Sequence, residues 1–484
     1  MNFKDEFIKL LKLESKSASY YILSTSITGI GSFIIVPLFW HKLTPSDFGI
    51  VAIIEILSSF LGVFYCLALD QSITRFFYEW KLEERPTRVG NLWIVGWLSS
   101  IILQVIFLLI FNFISQYLFP DVKYFPFIFF GIIISGLTSF RLIPFTTLRI
   151  LNQPRQYTFY EIITFFTNMA SLVLFILVLD KKLMGYFYGS MLGGSINFLI
   201  FLSIMLKVSK PTINFKQLRE AFSFSLPFIP SNFISNVSMI TDRFILQQFA
   251  DLHVLGIYSI GLKFATIISK LHSALKLSFI PFLHKIVIER GCTGQKIVSE
   301  MIGVYVAPLF LLGVAICLFA DDFIRFYGNK PYFEVINYIP PLVIIMIITS
   351  LYIYYSPGIY LSKKTKYLII PTLSQLVILI SSSILLIPKF KILGIIGSRF
   401  IGTTIFLSVA IYLSCRLYKW KNNYLSLLFL TFSIVAVIFL DEFITFSNAY
   451  LSLSKSVFLF GLYVLANYAF FIRTINNYKL VENI

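Results

Sequence analysis

Charge is scarce in this chain. Asp, Glu, Lys and Arg supply 13% of the 484 residues and hydrophobic residues 57%, with a mean hydropathy of +0.83. A soluble globular domain does not have this composition. Acidic residues are the scarcer charged class, 23 against 40 Lys and Arg, which leaves a formal net charge of +17. Cysteine is nearly missing: Cys66, Cys292, Cys317 and Cys415 lie singly in or beside apolar runs, without metal-ligand spacing or an extracellular disulfide framework. They read as small apolar residues with no redox role. The four histidines, His41, His253, His272 and His284, form no HxxxH or other paired arrangement. No metal or cofactor site follows from such a set. No acid–base or nucleophilic site can be assembled either, so the chain is not expected to be an enzyme.

What the chain has instead is a repeating apolar run. About every thirty residues a stretch long enough to cross a bilayer, roughly 20 residues, closes in a short polar turn. About fourteen spans are expected, near residues 18–39, 48–70, 91–113, 127–146, 159–179, 185–206, 222–248, 255–277, 298–320, 334–356, 368–388, 394–415, 424–440 and 456–472. The runs are too long and continuous for alternating barrel strands, so the fold class is all-α: a polytopic bundle of about fourteen transmembrane helices. Residues 1–17 are too polar for a signal peptide. Phe3, Phe7, Leu10 and Leu11 fall opposite Lys4, Lys9, Lys12 and Lys16, as in an amphipathic segment lying in the cytoplasmic interface.

Orientation follows from the basic residues between spans. With the amino terminus inside, about 25 Lys and Arg fall in inner segments and about 9 in outer ones, the bias expected of cytoplasmic loops. Both termini are then cytoplasmic, and every outer connection is short. The same bias, with anionic lipid headgroups as the partner, accounts for the net charge, and nucleic acid is not an expected partner.

The halves of the chain repeat one another. Phe48, Gly49 and Ile50 return as Leu255, Gly256 and Ile257, Leu151–Tyr157 as Leu361–Tyr367, and the outer turn Lys182–Gly185 as Lys391–Gly394, all at an offset of about 207 to 210 positions. Six spans separate the copies, so both have the same orientation and are expected to be related by an axis along the membrane normal. The expected division is 1–17 (amphipathic segment), 18–215 (N-terminal six-helix lobe), 216–422 (C-terminal six-helix lobe, with a central cleft between the lobes) and 423–484 (an additional helix pair and cytoplasmic tail).

Six basic residues remain within spans: Arg141, Arg243, Lys263, Lys270, Lys276 and Arg399. At roughly 2.5 to 3.5 kcal/mol each near the bilayer centre, they cannot all face lipid. Lys276 is close enough to the inner interface to snorkel, and Arg243 has Asp242 or another helix as a pairing partner. Arg141, Lys263, Lys270 and Arg399 are the cavity candidates, with Arg243 and Arg75 as further ones. Lys263 and Lys270 are seven apart, on one face of span eight, and Gly256 continues that stripe. Of the intramembrane acids Glu55, Asp70, Glu161 and Asp242, Asp70 and Glu161 lie close enough to the inner surface to be solvated and Asp242 is expected to form a structural ion pair with Arg243, which leaves Glu55 as the candidate for ion coupling. A positive interior suits an anionic substrate. Arg clamps phosphate oxygens bidentately and Lys adds point charges, as a pyrophosphate crossing the bilayer would require.

Leu43–Ile50 (LTPSDFGI), Leu69–Glu79 (LDQSITRFFYE), Phe224–Ile245 (FSLPFIPSNFISNVSMITDRFI) and Gly256–Phe264 (GIYSIGLKF) resemble the oligosaccharide repeat-unit flippases, the Wzx type within the multidrug/oligosaccharidyl-lipid/polysaccharide exporter superfamily. The likeness covers spans one to twelve, and its most recognisable pieces are the Asp242–Arg243 pair and the Gly-Ile-Tyr turn. The resemblance implies flipping of undecaprenyl-pyrophosphate-linked O-antigen or capsule repeat units to the outer leaflet of the bacterial inner membrane by alternating access. It also implies a cationic lumen and a polysaccharide polymerase that consumes the product. Two readings share the fold: a lipid II flippase and a cation-coupled multidrug exporter.

Overall fold

A computed structural model describes residues 20, 23–24, 27–29, 31, 37–362, 365–420, 422, 424–444 and 449–482. The segment expected over 1–17 and most of the first expected span lie outside the described residues. Among those described, every regular element is a helix, and 11 helices are long and apolar enough to cross a membrane. The protein is a multi-pass helical membrane protein. Eleven is fewer than the fourteen expected, and two of the differences have visible causes. Expected spans 368–388 and 394–415 fall in one helix, interrupted at Lys391 (φ 47°). Expected span 222–248 includes Asn232, Asn236, Asp242, Arg243, Gln247 and Gln248, which make its helix less apolar than the others.

The chain forms two compact units, Met1–Gly256 and Ile257–Ile484. In the first, helices α1 (Pro45–Gly62), α2 (Leu69–Phe76), α3 (Arg85–Leu118), α4 (Phe129–Ser139), α5 (Leu142–Ile150), α6 (Pro154–Val173), α7 (Lys182–Val208), α8 (Phe215–Ser225) and α9 (Phe228–Phe249) pack together. Helices α8 and α9, which follow the expected lobe boundary at 215, contact helices that precede it. Ser72 Oγ donates to the Ala221 carbonyl (2.8 Å), Phe60 and Phe233 meet edge to face at 5.6 Å, and Gln248 Nε2 donates to the Leu118 carbonyl (2.9 Å).

Helix α1 starts where the Thr-Pro-Ser-Asp sequence dictates. Thr44 Oγ1 accepts from the Asp47 N–H (3.2 Å) and Asp47 returns the bond to the Thr44 N–H (2.7 Å), with Pro45 in the first turn. The span that follows is not one helix. Between α1 and α2, Cys66, Leu67 and Ala68 all take left-handed conformations (φ 57°, 50° and 54°), at roughly 1 to 2 kcal/mol per non-glycine residue. Neighbouring helices hold the break. The Cys66 N–H donates to Ser100 Oγ (3.0 Å), and the Tyr65 hydroxyl bonds Ser135 Oγ (2.9 Å). In an unbroken helix Ala68→Val would be milder than Ala68→Gly. Here the order should invert: valine at positive φ should cost about 2 kcal/mol, with glycine within about 1 kcal/mol of wild type, read as thermal unfolding in detergent.

Helix α10, Leu252–Tyr327, leaves the first unit and enters the second. Its first turn crosses α1 at backbone contact. A Cβ on Gly49 would lie 2.0 Å from the Leu252 carbonyl oxygen, and one on Gly256 would lie 1.8 Å from that of Pro45. The contact is reciprocal under the sequence repeat, since Pro45 and Gly49 shifted by 207 positions are Leu252 and Gly256.

The second unit contains the remainder of α10, which is interrupted at Gly291 (φ 55°, ψ −125°), with α11 (Ile339–Tyr355), α12 (Gly358–Leu361), α13 (Ile369–Tyr418), α14 (Leu425–Phe443) and α15 (Ala449–Glu482). The last pair is fastened to α10. Ser456 Oγ donates to Asp322 Oδ2 (3.0 Å) and the Phe319 and Phe460 rings meet at 5.9 Å, while within the pair Lys455 Nζ lies 2.7 Å from Asp441 Oδ1.

Candidate functional site

Each intramembrane charge named in the sequence has a definite setting. In the first unit Arg243 of α9 reaches another helix: its Nη1 lies 3.1 Å from Glu55 Oε2 on α1. The Arg243 side chain is 17% exposed and that of Glu55 37%. A cavity candidate and the ion-coupling candidate are thus one pair. Asp242, the neighbour of Arg243, is buried. Arg141, between α4 and α5, puts Nη2 3.0 Å from both oxygens of Glu161 on α6 and lies 5.1 Å over the Phe145 ring. About half of its side chain is exposed, and its pair with Glu161 uses one of its three nitrogens. Arg75 pairs with Glu79 one turn away on the exposed end of α2.

In the second unit Arg399 of α13 donates to the hydroxyl of buried Tyr258 on α10 (3.3 Å). Lys263 is half-buried, and Lys270 and Lys276 are exposed. The stripe of Lys263 and Lys270 does not continue through Gly256, which is packed against the Pro45 carbonyl. It continues the other way, through residues the sequence reading passed over. Thr266 and Ser273 are exposed on the same face, at the 3-4-3 spacing 263, 266, 270, 273 that keeps side chains in register along a helix. Their hydroxyls are satisfied within the helix: Thr266 donates to the Lys263 carbonyl (2.8 Å), Ser269 to that of Thr266 (2.7 Å) and Ser273 to that of Ser269 (2.8 Å). The spacing was the available signal, hidden because Thr and Ser are common in helices. The opposite face of this segment is packed, with His272 edge-on to Tyr354 at 5.7 Å and Phe279 against Tyr305 and Tyr354 at 5.1 and 4.8 Å. Tyr354 and Tyr355 are buried. Among the described residues no group of three His, Cys, Asp or Glu side chains could hold a metal ion.

A family model described as polysaccharide biosynthesis protein matches residues 15–287, more than half of the chain. The chain belongs to that family. No curated protein matches the sequence. Solved structures match the fold. A structure of the lipid II flippase MurJ in an inward closed conformation superposes with a TM-score of 0.69 at 11% identity, over 96% of this chain and 100% of that one. An inward-facing multidrug resistance MATE transporter of the MOP superfamily gives 0.61 at 13% identity over 82% and 94%. The Vibrio cholerae MATE transporter VcmN gives 0.58 at 13% over 85% and 99%. At such identities the likeness is one of fold. This family member has the MurJ and MATE type of transporter fold.

Proposed function

We propose that the protein is a flippase that moves a polyprenyl-pyrophosphate-linked oligosaccharide, an O-antigen or capsule repeat unit on undecaprenyl pyrophosphate, from the cytoplasmic to the outer leaflet of the bacterial inner membrane. The proposal includes cytoplasmic termini and alternating access by two six-helix lobes, 18–215 and 216–422, about a cleft, with residues 423–484 appended. The observation that carries it is a polar face, half-buried Lys263 with exposed Thr266, Lys270 and Ser273, in a predominantly apolar span. A lysine in such a span costs roughly 2.5 to 3.5 kcal/mol against lipid, which supports a face turned to water and an anionic substrate. The family supports polysaccharide as the product, and the fold supports translocation without bond chemistry.

In this reading Lys263, Lys270, Arg141 and Arg399 take the pyrophosphate, with Arg243 and Arg75 as further contacts, and Glu55 couples a cation. A polymerase outside would consume the product. The second reading is lipid II as substrate, favoured by the fold shared with MurJ. A multidrug exporter, the activity of the MATE neighbours, would favour acids rather than lysines on an exposed intramembrane face.

Deletion of the gene tests all three. Loss of surface polysaccharide with oligosaccharide-linked undecaprenyl pyrophosphate accumulating on the cytoplasmic side is the expected result. Accumulated lipid II supports the second reading. Neither, together with raised sensitivity to cationic dyes, supports the exporter.

A further inference from the structure

We infer that the exposed face of α10 is a track along which the pyrophosphate is passed by alternating ammonium and hydroxyl groups, from Ser273 and Lys270 to Thr266 and Lys263. The inference rests on the flippase reading and adds to it the order of contacts and two binding residues, Thr266 and Ser273. Ten residues of helix separate 263 from 273, about 15 Å at 1.5 Å per residue, half of the roughly 30 Å hydrocarbon core. With the amino terminus inside, α10 descends from the outer surface, so Ser273 lies on the cytoplasmic side and Lys263 near the midplane. Beyond Lys263 the face closes: Ser259 is buried and Gly256 is in backbone contact with Pro45. The track therefore serves the inner half of the crossing.

The chemistry of the rungs fits a moving anion. Two lysines about 10 Å apart along the axis would each form a separate well for a pyrophosphate, with a barrier between them. A hydroxyl between the wells lowers that barrier. In the empty protein Thr266 and Ser273 donate to carbonyls of their own helix, at 2.8 Å each, so no buried donor is left unmet. Each can turn its proton to a phosphate oxygen as it arrives, exchanging a neutral hydrogen bond for a stronger charge-assisted one. Ser269, half-buried beside them, donates to Thr266 and is free to follow the same exchange. Lysine suits such a relay because its ammonium holds phosphate as a point charge on a flexible stem, without the fixed two-pronged geometry of arginine.

The test uses single cysteines. Cys66 and Cys317 are buried and can remain, while Cys292→Ser and Cys415→Ser remove the accessible thiols. In this background Thr266→Cys and Ser273→Cys are placed separately, and their reaction with a water-soluble thiol reagent is timed in detergent with farnesyl pyrophosphate as the probe. Both cysteines should react readily, and the probe at about ten times its Kd should slow both by about tenfold, with farnesol giving no protection. Adding Lys263→Ala should abolish protection at 266 and leave it at 273. Failure of either cysteine to react, absence of protection, or equal loss at both positions on Lys263→Ala would each overturn the track. Inorganic pyrophosphate protecting as well as farnesyl pyrophosphate would also overturn it, in favour of adventitious anion binding. Failure of the flippase reading shows elsewhere, as normal surface polysaccharide in the deletion strain, so the two failures are told apart.

Discussion

With Lys263 and Lys270 both replaced by alanine, translocation of the lipid-linked oligosaccharide should fall about a hundredfold at unchanged protein level in the membrane. A hydrogen bond to a charged group contributes roughly 1.5 to 3 kcal/mol, and two lost in series remove about 3 kcal/mol or more from the crossing. Stability should not fall with it, because Lys270 is exposed and Lys263 half-buried, and removing an ammonium from an apolar span relieves a solvation cost. Lys276→Ala is the control. It lowers the net charge of the same helix at a residue near the inner interface, and should leave transport within about twofold, since a snorkelling lysine there contributes charge to the surface rather than to the path. The measurement is the rate at which labelled lipid-linked oligosaccharide becomes accessible outside whole cells, or is lost from the exterior of inverted vesicles, normalised to protein. If the double variant transports normally, the lysines are not on the route.

Much of the helical framework was legible because the bilayer imposes a length on apolar runs. The expected span 185–206 falls inside Lys182–Val208, and 424–440 begins one residue before Leu425–Phe443 and ends within it. The start of α1 was legible too, since Thr44, Pro45 and Asp47 form a capping box with a mechanism readable from residue type alone. The break at Cys66–Ala68 was not. Left-handed backbone is signalled by glycine or asparagine, and here Cys, Leu and Ala take it where the Cys66 N–H meets Ser100 Oγ and the preceding Tyr65 hydroxyl meets Ser135 Oγ on neighbouring helices. The same limit applied to the site. Lys263 and Lys270 could be placed on one face by their spacing, a property of a single helix. The partners of Arg243 and Arg141 lie 188 and 20 positions away, respectively, and depend on how helices pack. From sequence, Asp242 or another helix was the partner to expect for Arg243, and the structure shows Glu55 on another helix. Successive residues of a helix diverge by about 100°, and a carboxylate on a second helix is better placed to meet the guanidinium.

That cross-helix pair gives the other large effect expected. Glu55→Gln and Arg243→Gln should each abolish most transport, by about tenfold or more, and exchanging the two residues separates the reasons. Each single change leaves one charge in an apolar span without its counterion, which costs folding as well as function. The exchanged protein, Glu55→Arg with Arg243→Glu, restores the opposite charges across α1 and α9 and should recover membrane level and thermal stability. Its transport should stay low. Under the proposed function an arriving pyrophosphate would compete with Glu55 for Arg243 and leave the carboxylate open to a cation. With the charges exchanged, the guanidinium stands on α1 and the carboxylate on α9, where the anion would meet repulsion. Recovery of stability without transport would assign the pair to the transport path. Recovery of both would make it a structural brace, and the coupling carboxylate would have to be sought elsewhere.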